Sequence, residues 1–147
     1  MGGLGMTRIR QDRLDALRAA IRARGLRATP ARVSVLDAVR TASVPVSLAD
    51  VARRLARNKL DRATIFRNLS ALTRTRLVRR IDPGDRIWRF VFGGNASSWQ
   101  ADFVCVDCGS IQALEDVELA VGMSGAPRVI AKRAIAVHIH GLCDRCG

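Results

Sequence analysis

The sequence predicts an α+β chain of two domains, in which a helical block closed by a β-hairpin precedes a small module of short strands clamped by cysteines. Three observations predict it. Apolar residues recur at helical spacing as far as residue 75, then give way to β-branched and aromatic runs around a turn. Basic residues outnumber acidic ones by 21 to seven over residues 1–92, whereas residues 93–147 hold four basic and six acidic residues. All four cysteines fall in that second block, as two copies of C-x-x-C-G separated by 34 residues.

The first helix is expected over residues 10–24: Leu14, Leu17 and Ile21 share a face, and Gly25-Leu26 supplies a C-terminal cap. Thr29-Pro30 caps and opens a second helix whose stripe is Val33, Leu36 and Val39. Ser47 with Asp50 forms a capping box before Leu48, Val51, Ala52 and Leu55. Asp61 caps a fourth helix that buries Ile65, Leu69 and Leu72. Strands over residues 77–81 and 87–92 flank the turn Asp82-Pro83-Gly84-Asp85 and make a hairpin. Helices two to four plus the hairpin describe a winged helix-turn-helix, with the first helix as an extension; its fourth helix would lie in the major groove of DNA.

Residues 93–98, of composition GGNASS, read as a linker at the charge boundary, which gives a domain over 1–92, a linker over 93–101 and a second domain over 102–147. Beyond it, short strands are expected over 103–104, 111–114 and 134–140, with a brief helix over 116–121. No apolar run approaches the roughly 18 residues that cross a bilayer, and the N-terminus lacks the apolar centre of a secretory signal. A cytoplasmic protein is expected, with no membrane partner.

On the fourth helix the face opposite the apolar stripe presents Arg62, Ala63, Arg67 and Ser70, with Phe66 at its margin. Arginine suits phosphates and guanine edges, while alanine and phenylalanine suit thymine methyls. The same residues also fit an ordinary solvated arginine face; their place before a hairpin in the basic block favours DNA. Arg76, Arg79, Arg80 and Arg86 flank or sit on the hairpin as phosphate contacts.

In a cytosolic chain two C-x-x-C-G turns point to metal before disulfide. Cys105, Cys108, Cys143 and Cys146 suit one tetrahedral Zn2+ per chain, structural because all four positions are filled. Two separate redox pairs are the alternative, but the βαβ pattern such pairs need is missing. His138 and His140 fall on one face of a strand, and either sit exposed there or share a metal with Glu115, Asp116 or Glu118. No nucleophile triad, phosphate-cradling glycine loop or paired-acid constellation is present, so neither an enzyme nor a small-molecule substrate is expected.

The segments Gly25-Leu26-Arg27-Ala28-Thr29-Pro30-Ala31-Arg32 and Arg62-Ala63-Thr64-Ile65-Phe66-Arg67-Asn68-Leu69, with the two cysteine motifs, resemble in order and spacing the ferric uptake regulator family of bacterial transcription factors. The resemblance spans residues 10–147. It implies a homodimer, a winged helix that binds a double-stranded AT-rich palindromic operator, and a C-terminal α/β dimerisation domain with a four-cysteine structural zinc site. Operator contacts would fall on Ala63, Thr64, Phe66 and Arg67, with Arg27 near the minor groove. Phe66 stands where the family usually has tyrosine.

The family's regulatory metal site is largely missing. The usual histidine-rich run before the first cysteine pair reads Ser98-Trp99-Gln100-Ala101-Asp102, leaving Asp102 as a ligand. Ala120, Ile135, Pro45 and Arg89 align with positions usually held by an acidic ligand, two histidines and a glutamate. The sequence therefore reads as a dimeric DNA-binding regulator, a repressor, that keeps the DNA reader and structural zinc but has lost the signal. The rival reading is a zinc-stabilised protein-interaction module that binds nucleic acid without sequence preference.

Overall fold

The computed structural model describes residues 3–93, 99–114 and 135–147. It divides into two compact units, Met1–Gly94 and Asn95–Gly147.

The first unit runs α1 (Gly3–Ala23), α2 (Pro30–Arg40), β1 (Val46–Ser47), α3 (Leu48–Arg54), a 3-10 turn (Ala56–Asn58), α4 (Arg62–Arg74), β2 (Val78–Ile81) and β3 (Arg89–Phe92). Each expected cap is present. The Thr29 side chain accepts from the Arg32 backbone N–H, and Ser47 and Asp50 exchange the two bonds of a capping box. Those bonds satisfy helix donors that would otherwise lack partners, at about 1 kcal/mol each. The hydrogen bonds from Ser47 also hold the Asp50 carboxyl below its ordinary pKa. Gly25 closes α1 at φ +74°, a conformation that costs glycine nothing.

The helical stripes meet in one core. Leu17 and Ile21 of α1, Leu36 of α2, Val51 of α3 and Ile65, Leu69 and Leu72 of α4 are buried together with Val78 and Phe90 of the sheet. Each such side chain contributes about 1.5–3 kcal/mol by leaving water.

Three expectations need correction. Helix α1 begins at Gly3 rather than residue 10, since no proline interrupts the chain there. The strands are trimmed to Val78–Ile81 and Arg89–Phe92, because the turn takes Ile87, whose backbone N–H is held by Asp85 Oδ1 at 2.9 Å. A third strand, β1, pairs antiparallel with β3, Val46 opposite Phe90, giving the sheet order β1-β3-β2.

The second unit holds β4 (Trp99–Cys105), β5 (Ile111–Leu114) and β6 (Ile135–Gly141), in the order β5-β4-β6. Strand β5 is antiparallel to β4, and β6 is parallel to it. The linker expected over 93–101 is therefore shortened at both ends. Gly93 donates its N–H to Leu77 O, and a Cβ there would stand 2.2 Å from the Arg76 carbonyl oxygen, so it is packed chain. Trp99, Gln100 and Ala101 pair with Ile135, Ala136 and Val137, so strand β4 is longer than the expected 103–104. The helix expected over 116–121, with Glu115, Asp116, Glu118 and Ala120, lies outside the described residues. No helix among the described residues is long and apolar enough to cross a membrane.

Candidate nucleic-acid interface and metal centre

Helix α4 divides cleanly. Ile65, Asn68, Leu69 and Leu72 are buried, whereas Arg62, Ala63, Phe66 and Arg67 are exposed on the opposite side. Its first turn is fixed by Asp61, whose Oδ1 accepts from the Thr64 backbone N–H at 2.7 Å. That bond, first among several, holds the Asp61 carboxyl below its ordinary pKa. Thr64 is half-buried, and its hydroxyl donates to Asp61 Oδ2 while accepting from Arg67 Nη2 at 3.0 Å. The Thr64 hydroxyl is thus engaged in the cap, and its partner Arg67 is positioned by it.

Two arginines that the sequence reading did not single out hold this helix in place. Arg32 of α2 donates from Nε to Asn68 Oδ1 and from Nη1 to Arg27 O at 2.7 Å. It therefore links the exposed Arg27 segment to α4. Arg24 donates to Thr75 O at 2.6 Å, capping the carbonyl end of α4 with a cation, as the helix dipole favours.

On the hairpin, Arg86 is exposed at the turn with φ +64°. Arg76 and Arg80 are exposed and Arg79 is half-buried. Arg80 stacks its guanidinium carbon 3.9 Å above the Trp88 ring. Arg89 is committed internally, with Nη2 on Asp85 Oδ2 at 2.8 Å and Nη1 on Ile87 O. Exposed large apolar side chains accompany these arginines, Phe66 on α4 and Ile87 and Trp88 on the hairpin.

The second unit carries a different site. Because β4 and β6 run parallel with Cys105 opposite Gly141, the turns that follow them emerge at the same end of the sheet. Val106 N–H donates to Gly141 O at 2.9 Å and ties the turns together. Gly109, at φ +69°, lets the first turn close through its N–H to Cys105 O. In the second turn Cys146 and Gly147 N–H both donate to Cys143 O. The four sulfurs lie within 4.8 Å of one another, with Cys108 Sγ and Cys143 Sγ at 3.7 Å.

Zinc held by thiolates at about 2.3 Å sets neighbouring sulfurs about 3.8 Å apart in a tetrahedron, so the spacing fits. The electrostatics fit as well. Backbone N–H groups of Cys108 and then Cys143 bring the Cys105 thiol down to about 6. The neighbouring Cys143 sulfur pushes Cys146 up to about 12, the cost of one more anion in the cluster. A dication among the four removes that repulsion.

His138 and His140 share one face of β6, with His138 opposite Asp102 in register. Asp102 is buried, and its Oδ2 lies 4.0 Å from His138 Nδ1, beyond hydrogen-bond range. Among the described residues only the four cysteines gather as a metal-ligand group, and the carboxylates Glu115, Asp116 and Glu118 lie outside those residues.

A family model described as the ferric uptake regulator family matches residues 23–128. The ferric uptake regulation protein of Bacillus subtilis (strain 168) is 24% identical over 145 residues, spanning 92% of this chain and 95% of that protein. Ferric uptake regulation protein 1 of Mycolicibacterium fortuitum is 36% identical over 105 residues, 69% of this chain and 61% of that protein. Among solved structures, a zinc uptake regulator complexed with zinc and DNA superposes with a TM-score of 0.63 at 23% identity, over 92% of this chain and 93% of that one.

Proposed function

The chain belongs to the ferric uptake regulator family, and from that premise we propose that it is a homodimeric transcriptional repressor that reads a double-stranded operator through α4. The observation that carries the proposal is the exposed row Arg62, Ala63, Phe66 and Arg67 on a helix anchored by Asp61, Arg24 and Arg32. An α-helix about 10–12 Å across fills a major groove about 12 Å wide. Operator contacts would fall on Ala63, Thr64, Phe66 and Arg67, and Arg62 would fall on base or phosphate. Arg27 would lie near the minor groove, and Arg86 would meet phosphate from the hairpin turn. The solved zinc uptake regulator of the same fold is complexed with zinc and DNA, which supports DNA as the partner.

Cys105, Cys108, Cys143 and Cys146 would hold one structural zinc per chain. Held by these four thiolates, zinc would supply a structural cross-link between the turns that follow β4 and β6. The operator would be palindromic because a two-fold dimer presents two copies of α4, with half-sites one helical turn or a multiple apart. With the regulatory ligands replaced at Trp99, Gln100, Ala101 and Arg89, no added metal is needed for DNA binding.

Selection from a random pool of duplexes by the full-length protein tests the proposal. Recovery of one palindromic sequence supports it. Salt-sensitive binding of all duplexes alike would instead favour a protein-interaction module with non-specific nucleic-acid affinity.

A further inference from the structure

A cleft of about 250 Å³ separates α4 from the hairpin, lined among others by Phe66, Ser70, Arg74, Arg80, Trp88 and Phe90. Its walls are unusual for a solvated surface. Phe66 is 53% exposed and Trp88 42% exposed, in a chain where aromatic residues make up only 4%. Neighbouring apolar side chains left in water at the edge of a strongly basic face mark a contact surface. Arg74 and Arg80 are exposed at the same cleft.

We propose that this cleft takes the sugar–phosphate strand at the wall of the major groove, with Trp88 against deoxyribose and Arg74, Arg80 and Ser70 on the adjoining phosphates. The inference rests on the reading that α4 enters the groove. If it does, the helix occupies the groove's width, and the next thing beside it is the phosphate wall. The cleft opens immediately beside α4, through Phe66 and Ser70 on its surface. A nucleotide backbone matches what the cleft offers, since a deoxyribose has an apolar face and its phosphate demands cationic and hydroxyl donors.

The Arg80–Trp88 stack explains how the site is prepared. With its guanidinium carbon 3.9 Å from the indole centroid, Arg80 makes a cation–π contact with Trp88. A long, mobile side chain is thereby held in one place before any phosphate arrives. Trp88 is accordingly a DNA-contacting and positioning residue of the hairpin, and its contribution should be blind to sequence, unlike that of Arg67.

The test uses the full-length chain carrying Trp99→Phe, which leaves Trp88 as its sole tryptophan. The probes are a duplex selected from a random pool and a scrambled duplex of the same composition. Acrylamide quenching of Trp88 fluorescence is expected to fall about threefold or more when either duplex saturates the protein. In the parent chain, Trp88→Ala is expected to weaken both duplexes by a similar factor, about tenfold, with Trp88→Phe retaining most of the affinity. Arg67→Ala should weaken the selected duplex far more than the scrambled one.

Unchanged quenching in a complex that forms, with Arg67→Ala still selective, overturns the cleft assignment and leaves the role of α4 standing. A Trp88→Ala effect confined to the selected duplex overturns it too, because Trp88 would then be reading bases. Absence of binding to either duplex overturns both readings. Should Trp88→Ala fold poorly, the quenching measurement on Trp99→Phe decides alone.

Discussion

Arg32 on α2 donates its Nε proton to Asn68 Oδ1 on the buried side of α4, at 3.2 Å. Asn68 in turn donates Nδ2 to Thr64 O at 2.9 Å, so a buried amide is satisfied from two helices at once. The pair fixes how α4 sits against α2. Arg32→Ala leaves the carbonyl of Asn68 buried without that donor, which costs about 1–3 kcal/mol. Arg32→Ala combined with Asn68→Leu removes both polar partners and is expected to cost clearly less than the two single changes added together. A double-mutant cycle by urea denaturation measures this, and strict additivity would show that the two residues act independently.

Arg67→Ala is expected to weaken binding to the selected duplex by about 1–3 kcal/mol without unfolding the protein. Arg40→Ala serves as the control, since its guanidinium is occupied over the Phe92 ring at 4.6 Å. Fluorescence anisotropy with labelled duplex compares them; equal losses would remove Arg67 from the interface.

The local features of the first unit were legible because they are set within a few residues. Thr29, Ser47 and Asp61 announce helix starts by their own side-chain chemistry, and the period of Ile65, Leu69 and Leu72 assigns the buried face of α4. Strand β1 was not legible, because Val46 and Ser47 are too few to show a period and owe their extended pairing to β3, more than 40 residues on. Trp99 to Ala101 looked like linker after the small residues at 94–98, yet their partners lie on β6. The cysteine motifs named the ligands of the second unit, but only the parallel register of β4 with β6 explains why two distant turns converge. The Thr64 hydroxyl, engaged with Asp61 and Arg67, carried no sequence signal beyond its place in the capping turn.

Cys146→Ser is expected to lose zinc, destabilise the second domain and shift the full-length protein toward monomer. A site that exists only in the folded chain makes metal binding and folding one equilibrium. Zinc content with analytical ultracentrifugation checks it. A metal-free wild type that remains a stable dimer would contradict a structural role.

Added iron, manganese or nickel is expected to leave operator affinity unchanged once the structural zinc is in place. A ligand shifts a conformational equilibrium only by its difference in affinity between the two states, and the family resemblance implies that the positions creating this difference hold Trp99, Gln100, Ala101 and Arg89 here. Isothermal titration of duplex into protein with and without each metal measures it. A tenfold gain, about 1.4 kcal/mol of coupling, would establish a working sensor; its loss in His138→Ala with His140→Ala would place that sensor on β6.

Hydroxyl-radical footprinting of the protein on the selected duplex tests sequence-specific operator recognition by a dimer. Two protected half-sites related by two-fold symmetry, one helical turn or a multiple apart and lost in Arg67→Ala, are predicted. Uniform protection along the duplex that fades with salt and is indifferent to Arg67→Ala would contradict it.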